Sequence, residues 1–294
     1  MRKVLFFLFL LGFQFSFSQV EAIDEDEIID ELMLSDEYTF QKMIDLLYNY
    51  KAVYASVNYT NKTYFAGREL KKLDGTVINQ ISITPQIFYM SSKGLILGIS
   101  GLYLSELNPK WDTSVLTAGW GKTIGKKLNM RYETTYSRYI YGKEYENIAK
   151  NSLEARFLLF SNNRTIGTEM EVSYIFGENN AFNTSLSIIG NFNIVKLNQK
   201  NNLSFQPKFT LYLGQENIEL YRLKYNMYRP YIEYYNDKVF DLFYAQLNLP
   251  FNLSIKDVDV EMGYNLNFPH KIGSETNLKN TSFYTIAMRY AFDL

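Results

Sequence analysis

From about residue 51 to the C-terminus, hydrophobic and polar positions alternate with a period of two. Successive side chains of an extended strand point to opposite faces, so this alternation predicts strands that each carry one apolar face. The alternating runs fall at 52–60, 77–90, 94–105, 112–124, 128–141 and 152–161, then at 165–177, 181–196, 202–214, 239–254, 257–268 and 281–294. Twelve strands are therefore expected, most of them long enough to cross a bilayer at a tilt, which takes ~9–11 residues. The last run is the clearest. Tyr284, Ile286, Met288, Tyr290, Phe292 and Leu294 share one apolar face, while Phe283, Thr285, Ala287, Arg289, Ala291 and Asp293 share the other.

Connections alternate in length as well. Short turns are expected at Ser91-Ser92-Lys93, Gly125-Lys126-Lys127, Ser161-Asn162-Asn163-Arg164, Leu197 to Asn201 and Ile255-Lys256. Mostly longer links lie between them, at Asn61 to Thr76, Gly142 to Asn151, Gln215 to Lys238 and Pro269 to Asn280. An even number of strands with short turns at one end and longer loops at the other is the pattern of a transmembrane β-barrel whose termini share one side. A further hairpin inside Gln215 to Lys238 would make fourteen strands, and ten is the other alternative.

The faces agree from strand to strand. Apolar sets include Val53, Ala55, Val57 and Tyr59, then Ile81, Ile83, Ile87 and Tyr89, then Ile166, Met170, Val172, Tyr174 and Phe176, and Val258, Val260, Met262, Tyr264, Leu266 and Phe268. Ser56, Asn58, Gln80, Ser82, Thr84, Glu169, Glu171, Asp257, Asp259 and Glu261 sit opposite them. A secreted β-sandwich would alternate in the same way with its apolar face inside. The expected fold is all-β, an antiparallel transmembrane barrel, because the turn asymmetry and the chain-ending strand favour it over the sandwich. Residues 51–294 form that barrel.

The first fifty residues follow other patterns. Residues 1–18 have a basic start at Arg2 and Lys3, an apolar run from Val4 to about Phe13, and small residues at Ser16 and Ser18. That is the arrangement of a secretory signal peptide, leaving Gln19 first after cleavage. No later segment reaches the ~20 apolar residues that a spanning helix needs. Residues 19–50 are expected to form a partly helical periplasmic segment, with Ile28, Ile29 and Leu32, then Phe40, Met43, Ile44 and Leu47, at helical spacing. Ten acids against the single base Lys42 give Glu21 to Tyr50 a charge of −9, which together with the +2 of Arg2 and Lys3 leaves the barrel region at about +6 within a net −1. A plug or a docking arm is one reading of that segment, and a solvated leader is preferred.

Composition adds two points. The mean hydropathy of −0.21 is too polar for a helical membrane protein but suits a barrel that hides its apolar residues by alternation. The chain has no cysteine, which excludes disulfides, thiolate metal sites and a cysteine nucleophile.

Charged side chains expected on the inner face are Arg131, Glu133, Glu154, Arg156, Glu169, Glu171, Lys208, Asp257, Asp259, Glu261 and Arg289. They read either as a charged constriction that selects solutes or as a mutually neutralised network filling a closed interior. The second is preferred, because a twelve-stranded barrel is narrow. Arg289 is expected to pair with one of Asp257, Asp259 and Glu261, with Glu261 favoured. Catalytic chemistry is not expected. His270 is the only histidine, the nearest downstream serine is Ser274 in the same predicted loop, and the acid pair Glu169 and Glu171 stands without a substrate motif. Neither a metal site nor a cofactor site is expected, and no nucleic-acid-binding motif is present.

The strand Thr281 to Leu294, with Tyr290, Phe292 and Leu294 on its apolar face, resembles the closing strand of Gram-negative outer-membrane β-barrel proteins. That resemblance implies recognition by the barrel-assembly machinery, although such strands usually end in Phe and this one ends in Leu294. The signal ending Ser18-Gln19 and the Lys-, Asn- and Tyr-rich body are similar to compact barrels of the Bacteroidota. An outer-membrane location is what the resemblance implies. The expected role is a non-enzymatic structural or accessory component of an outer-membrane assembly, with a narrow porin-like diffusion channel for small solutes as the alternative. Expected partners are outer-membrane lipids and lipopolysaccharide, and other outer-membrane or periplasmic proteins reached through the acidic N-terminal segment. The aromatic and basic stretch from Gln215 to Lys238, including Arg222, Lys224, Tyr228 and Arg229, is the expected contact loop.

Overall fold

In the computed structural model, the described residues are 52–70, 76–107, 109–124, 129–142, 149–177, 180–198, 201–226, 229–255, 257–271 and 278–293. The predicted signal peptide and acidic helices, as well as Leu294, lie outside them.

Alternation produces a closed antiparallel barrel of twelve staves. The strands are β1 (Ala52–Thr60), β2 (Tyr64–Phe65), β3 (Arg68–Glu69), β4 (Ser82–Met90), β5 (Leu95–Leu104), β6 (Trp111–Ile124), β7 (Met130–Tyr141) and β8 (Ala149–Phe160). They continue as β9 (Ile166–Gly177), β10 (Ala181–Gly190), β11 (Phe192–Asn198), β12 (Asn201–Phe205), β13 (Lys208–Asn226), β14 (Arg229–Ile255), β15 (Val258–Pro269) and β16 (Thr281–Asp293). Two predicted strands are interrupted. The run 181–196 breaks at Asn191 between β10 and β11, and 202–214 breaks at Gln206 and Pro207 between β12 and β13. Proline has no amide N–H to donate to a ladder, so Pro207 is a natural breakpoint. β12 and β13 pair with successive stretches of the same strand, β14, and count as one stave.

The two ends of the sheet meet. β16 pairs with β1 from Val53↔Phe292 to Tyr59↔Ile286, and β15 pairs with β14 on its other side, so the sheet has no open edge there. Closure lets such a sheet sit in lipid, where unpaired backbone groups have no water to bond.

The faces are inverted relative to a water-soluble protein. Side chains hidden inside are mostly polar, including Ser56, Gln80, Ser152, Asn252, Asp259, Asn265 and Asn267. Exposed ones include Val57, Ile87, Leu97, Ile99, Leu116, Ile166, Met170, Ile188, Met262 and Met288. Rings flank this apolar belt. Near the turn end, Trp120 lies 5.4 Å from Tyr132 and Tyr290 lies 4.3 Å from Phe292. Toward the loop end, Tyr136 and Tyr174 flank Phe176, and Phe182 lies 5.9 Å from Phe240. Paired aromatic girdles of this kind mark the two interfaces of a membrane-spanning barrel. No helix among the described residues is long and apolar enough to cross a membrane.

Three expectations are corrected at the loop end. Gln215 to Lys238 is a continuation of the sheet: β13 and β14 stay paired from Gln215↔Phe240 to Asn226↔Arg229. Pairing of β10 with β13 stops at Asn183↔Gly214, and that of β15 with β14 stops at Tyr244↔Pro269. The two strands beyond those points form a ribbon about 40 Å long at ~3.4 Å per residue. It lengthens two staves and adds none. Residues 77–81 are not part of a stave either, since β4 begins at Ser82. The third is the Asn61–Thr76 link, where the expected long connection contains a small hairpin, β2 paired with β3.

Candidate functional site: a partitioned lumen

The β2–β3 hairpin turns on Ala66 and Gly67, which hold φ of 46° and 76°. Positive φ at both central residues suits a tight hairpin turn, and it strains Ala66 more than Gly67. The hairpin folds over the barrel mouth and is tied to the wall. Tyr64 Oη donates to the Ser282 carbonyl at 2.9 Å, Thr281 Oγ1 to the Gly67 carbonyl at 2.8 Å, and Arg68 Nη2 to the His270 carbonyl at 2.7 Å. A Cβ placed on Gly67 would sit 3.1 Å from Tyr244, so the turn packs closely against that ring.

Beneath the ties, the wall formed by β14, β15 and β16 is filled with amides and hydroxyls. Gln246 Nε2 donates to Asn267 Oδ1 at 2.8 Å and Asn267 Nδ2 donates to Thr281 Oγ1 at 3.0 Å. Below these, Asn248 Nδ2 donates to Asn265 Oδ1 at 2.7 Å and Asn265 Nδ2 reaches Thr285 Oγ1 at 3.3 Å. Asn252, Asn265, Asn267 and Asp259 are each 1% exposed, so these side chains are closely packed. Arg289 Nη2 donates to Glu261 Oε2 at 2.6 Å at its base, the partner favoured from the strand pattern. Asp259 stands opposite Arg289 in the β15–β16 register.

The opposite wall is hollow. A mouth cavity of about 410 Å³ is lined by Ala66 of the hairpin, Glu171, Ser173, Asn183, Ser185, Tyr212, Gln215, Phe243 and Tyr244 among others. A neck of about 140 Å³ follows, lined by Glu133, Thr135, Glu154, Arg156 and Glu171. A base cavity of about 450 Å³ shares Glu133, Thr135, Glu154 and Arg156 with the neck and extends to Tyr54, Phe88 and Leu158. Glu171 joins the first two cavities and Arg156 joins the last two, so the three lie in series along the hollow wall.

The neck is where the charged side chains gather. Arg131 donates to Glu133 at 2.6 Å, and Arg156 lies 3.3 Å from both Glu133 and Glu169. Lys208 donates to Glu169 at 2.6 Å, whereas Glu154 accepts from the Ser152 hydroxyl at 2.9 Å. Glu171 is held most loosely, 3.9 Å from Arg156 Nε with 39% of its side chain accessible. Four carboxylates therefore face three bases in this network. Asp257 is not part of it; this residue sits exposed in the β14–β15 turn, because the stave ends before its position. Arg222, Lys224 and Arg229 lie on the ribbon backbone, and Tyr228 lies outside the described residues. Tyr290 and Phe292 are exposed on β16. His270 is exposed just past β15 and uses its backbone N–H to bond the Phe243 carbonyl.

Residue 243 went unnoticed in the sequence pattern. The β13–β14 register shifts between Tyr212 and Leu213, so Phe243 is an extra residue on β14, a β-bulge. The bulge brings the Phe243 ring over Gly214, where an added Cβ would collide with it, and places both Phe243 and Tyr244 on the mouth cavity. Tyr244 stacks on Tyr212 at 4.4 Å and 13°.

No family model matches the chain. No curated protein matches it in sequence. Among solved structures, it is similar to a chain described as "NanC porin structure in rhombohedral crystal form", at 6% identity and TM-score 0.42, covering 82% of this chain and 98% of that one. It is also similar to a "Bacterial polysaccharide outer membrane secretin", at 10% identity and TM-score 0.39, covering 84% and 99%. A third, "LpxR from Salmonella typhimurium", aligns at 9% identity and TM-score 0.38, covering 81% and 99%.

Proposed function

We propose that this protein is a narrow, non-enzymatic diffusion channel for small solutes in the outer membrane. The observation that carries the reading is the series of three cavities along one wall, joined through shared side chains from the hairpin-covered mouth to the opposite end. A barrel built only as a scaffold gains stability from filling its lumen, since interiors otherwise pack to high density. Here one half is filled and the other is left hollow with charges at its narrowest point, the arrangement used to select ions in pores. The apolar belt and its aromatic girdles support a membrane location, and an outer membrane is the compartment for a closed barrel of this kind. Reconstitution of the full-length chain, purified from membranes, into planar bilayers tests the reading. Small, steady, ohmic conductance is expected, and electrical silence from heat-modifiable, folded protein would sink it.

The ribbon favours a second reading, an accessory role in an outer-membrane assembly. Beyond Gly214 and Tyr244, β13 and β14 pair only with each other, and their backbone carries Arg222, Lys224 and Arg229. Such a ribbon offers a partner protein or lipopolysaccharide an extended surface, and the acidic segment 19–50 would offer a second. Cross-linking and affinity isolation from native membranes should recover stable partners through the ribbon. Recovery of the protein alone would count against this role.

A further inference from the structure

The mouth cavity carries an asymmetry of charge that specifies a solute class. Among the described residues its lining holds one carboxylate, Glu171, together with the neutral polar groups of Ser173, Asn183, Ser185 and Gln215 and the rings of Tyr212, Phe243 and Tyr244. Among the described residues it includes no lysine or arginine. The bases of the neighbouring network are committed elsewhere: Lys208 to Glu169 and Arg131 to Glu133, each at 2.6 Å, with Arg156 closer to Glu133 and Glu169 than to Glu171. Glu171 thus stands at the step from mouth to neck with its charge the least compensated and its side chain the most accessible of the carboxylates paired with Arg156. Aromatic walls attract cations through their ring quadrupoles, and amides and hydroxyls pair with hydroxylated solutes. A volume of about 410 Å³ falls at the small end of ligand cavities, ~300–1,000 Å³.

We propose that this cavity is a binding and selection site for small hydroxylated solutes bearing an amine, that it disfavours anions, and that Glu171 is the residue that decides between them. The transport consequence rests on the channel reading, whereas the binding preference does not. An amine seated at Glu171 gains a carboxylate partner and an aromatic wall together. An acid in the same place meets a carboxylate whose nearest described base, Arg156, lies closer to Glu133 and Glu169. The hairpin above limits the size of the solute, since Ala66 forms part of the roof.

Two measurements on full-length protein test this. In planar bilayers under a potassium chloride gradient, the reversal potential should show cation preference, and the permeability ratio should fall about threefold in Glu171→Gln, the effect of one charge a few ångströms from the path in a wet lumen. Anion preference in the unaltered protein, or an unchanged ratio in folded Glu171→Gln, overturns the proposal. Calorimetry in detergent with glucosamine, glucose and glucuronate reads the site without conduction. Glucosamine should bind best and lose that advantage in Glu171→Gln. Equal binding of the three, or no binding, overturns the proposal even where conductance is present. Silence in the bilayer with glucosamine binding intact overturns only the channel reading. Should Glu171→Gln fail to fold, Ser173→Lys places a base on the same strand face two residues away, and it should abolish the glucosamine preference; a preference that survives there counts against the site.

Discussion

The two halves of this lumen solve the same problem differently. Both must hold polar side chains inside a barrel whose outer face is apolar. The wall of β14, β15 and β16 does so dry: Asn252, Asn265, Asn267 and Asp259 are each 1% exposed, and Asn265 and Asn267 are bonded in layers with Gln246, Asn248, Thr281 and Thr285. The wall of β7, β8 and β9 does so wet, with Arg156 deep inside the barrel yet 41% accessible because it borders both the neck and the base cavity. The difference predicts that partner number is a poor guide to energy here. Arg289 lies 2.6 Å from Glu261 and Arg156 lies within 4 Å of Glu133, Glu169 and Glu171, but the cavities beside Arg156 let water screen its pairs and replace them. Arg289 and Glu261, 18% and 19% accessible, line none of the three cavities.

Removing the dry-side base should therefore have the largest effect. Arg289→Ala would leave Glu261 without its 2.6 Å partner and Asp259 without the charge opposite it. Stranding a buried charge costs about 3–5 kcal/mol. The urea midpoint for folding in detergent micelles should drop accordingly, and a shift no larger than that of surface variants would mean that this wall admits water. Asn265→Leu comes next. It removes both bonds of a 1%-exposed side chain and leaves Asn248 Nδ2 unpaired, for about 2 kcal/mol. The same urea measurement checks it.

Thr281→Val separates the hairpin from the wall. The threonine hydroxyl receives Asn267 and passes its own proton to the Gly67 carbonyl, so valine of the same shape breaks both links. One such network bond is worth about 1 kcal/mol net. Tyr64 and Arg68 still tether the turn, so stability should change little while the mouth widens. Single-channel conductance in bilayers should rise, and an unchanged value would show that the hairpin does not limit passage.

How much of this contrast could be read in the sequence depends on what drove each feature. The alternation that separates lipid from lumen is written in every stave, so the closed barrel, the β1–β16 seam and the Arg289–Glu261 pair all follow from it. The ribbon was missed because a two-stranded projection has no lipid face and no lumen face. Its sequence loses the period-two signal while its backbone stays paired, and Pro230, near the tip opposite Tyr225, reads as a loop residue. The inward hairpin left only Ala66-Gly67 as a turn signal. Its position depends on Ser282, Thr281 and His270, about 200 residues away. The bulge at Phe243 was hidden because it adds a residue to a stave that alternates regularly on both sides. The charges were legible as interior residues but not as a neck, since their sequence carries no record of where cavities open beside them.

The smallest expected stability effect gives the sharpest test of the two halves. Arg156→Gln removes the base shared by Glu133, Glu169 and Glu171, yet Glu133 keeps Arg131 and Glu169 keeps Lys208, each at 2.6 Å. Pairs open to water contribute roughly 0–1 kcal/mol each, and the glutamine can still donate to one carboxylate. The loss should thus stay under about 1 kcal/mol in the same urea assay, well below that of Arg289→Ala, although more carboxylates are involved. What should change is conduction: with a base gone from the neck, cation preference should rise relative to the unaltered channel. If Arg156→Gln instead destabilised the barrel as much as Arg289→Ala, the neck would be a dry ion-pair core, and the division of the lumen into a packed half and a hollow half would have to be given up.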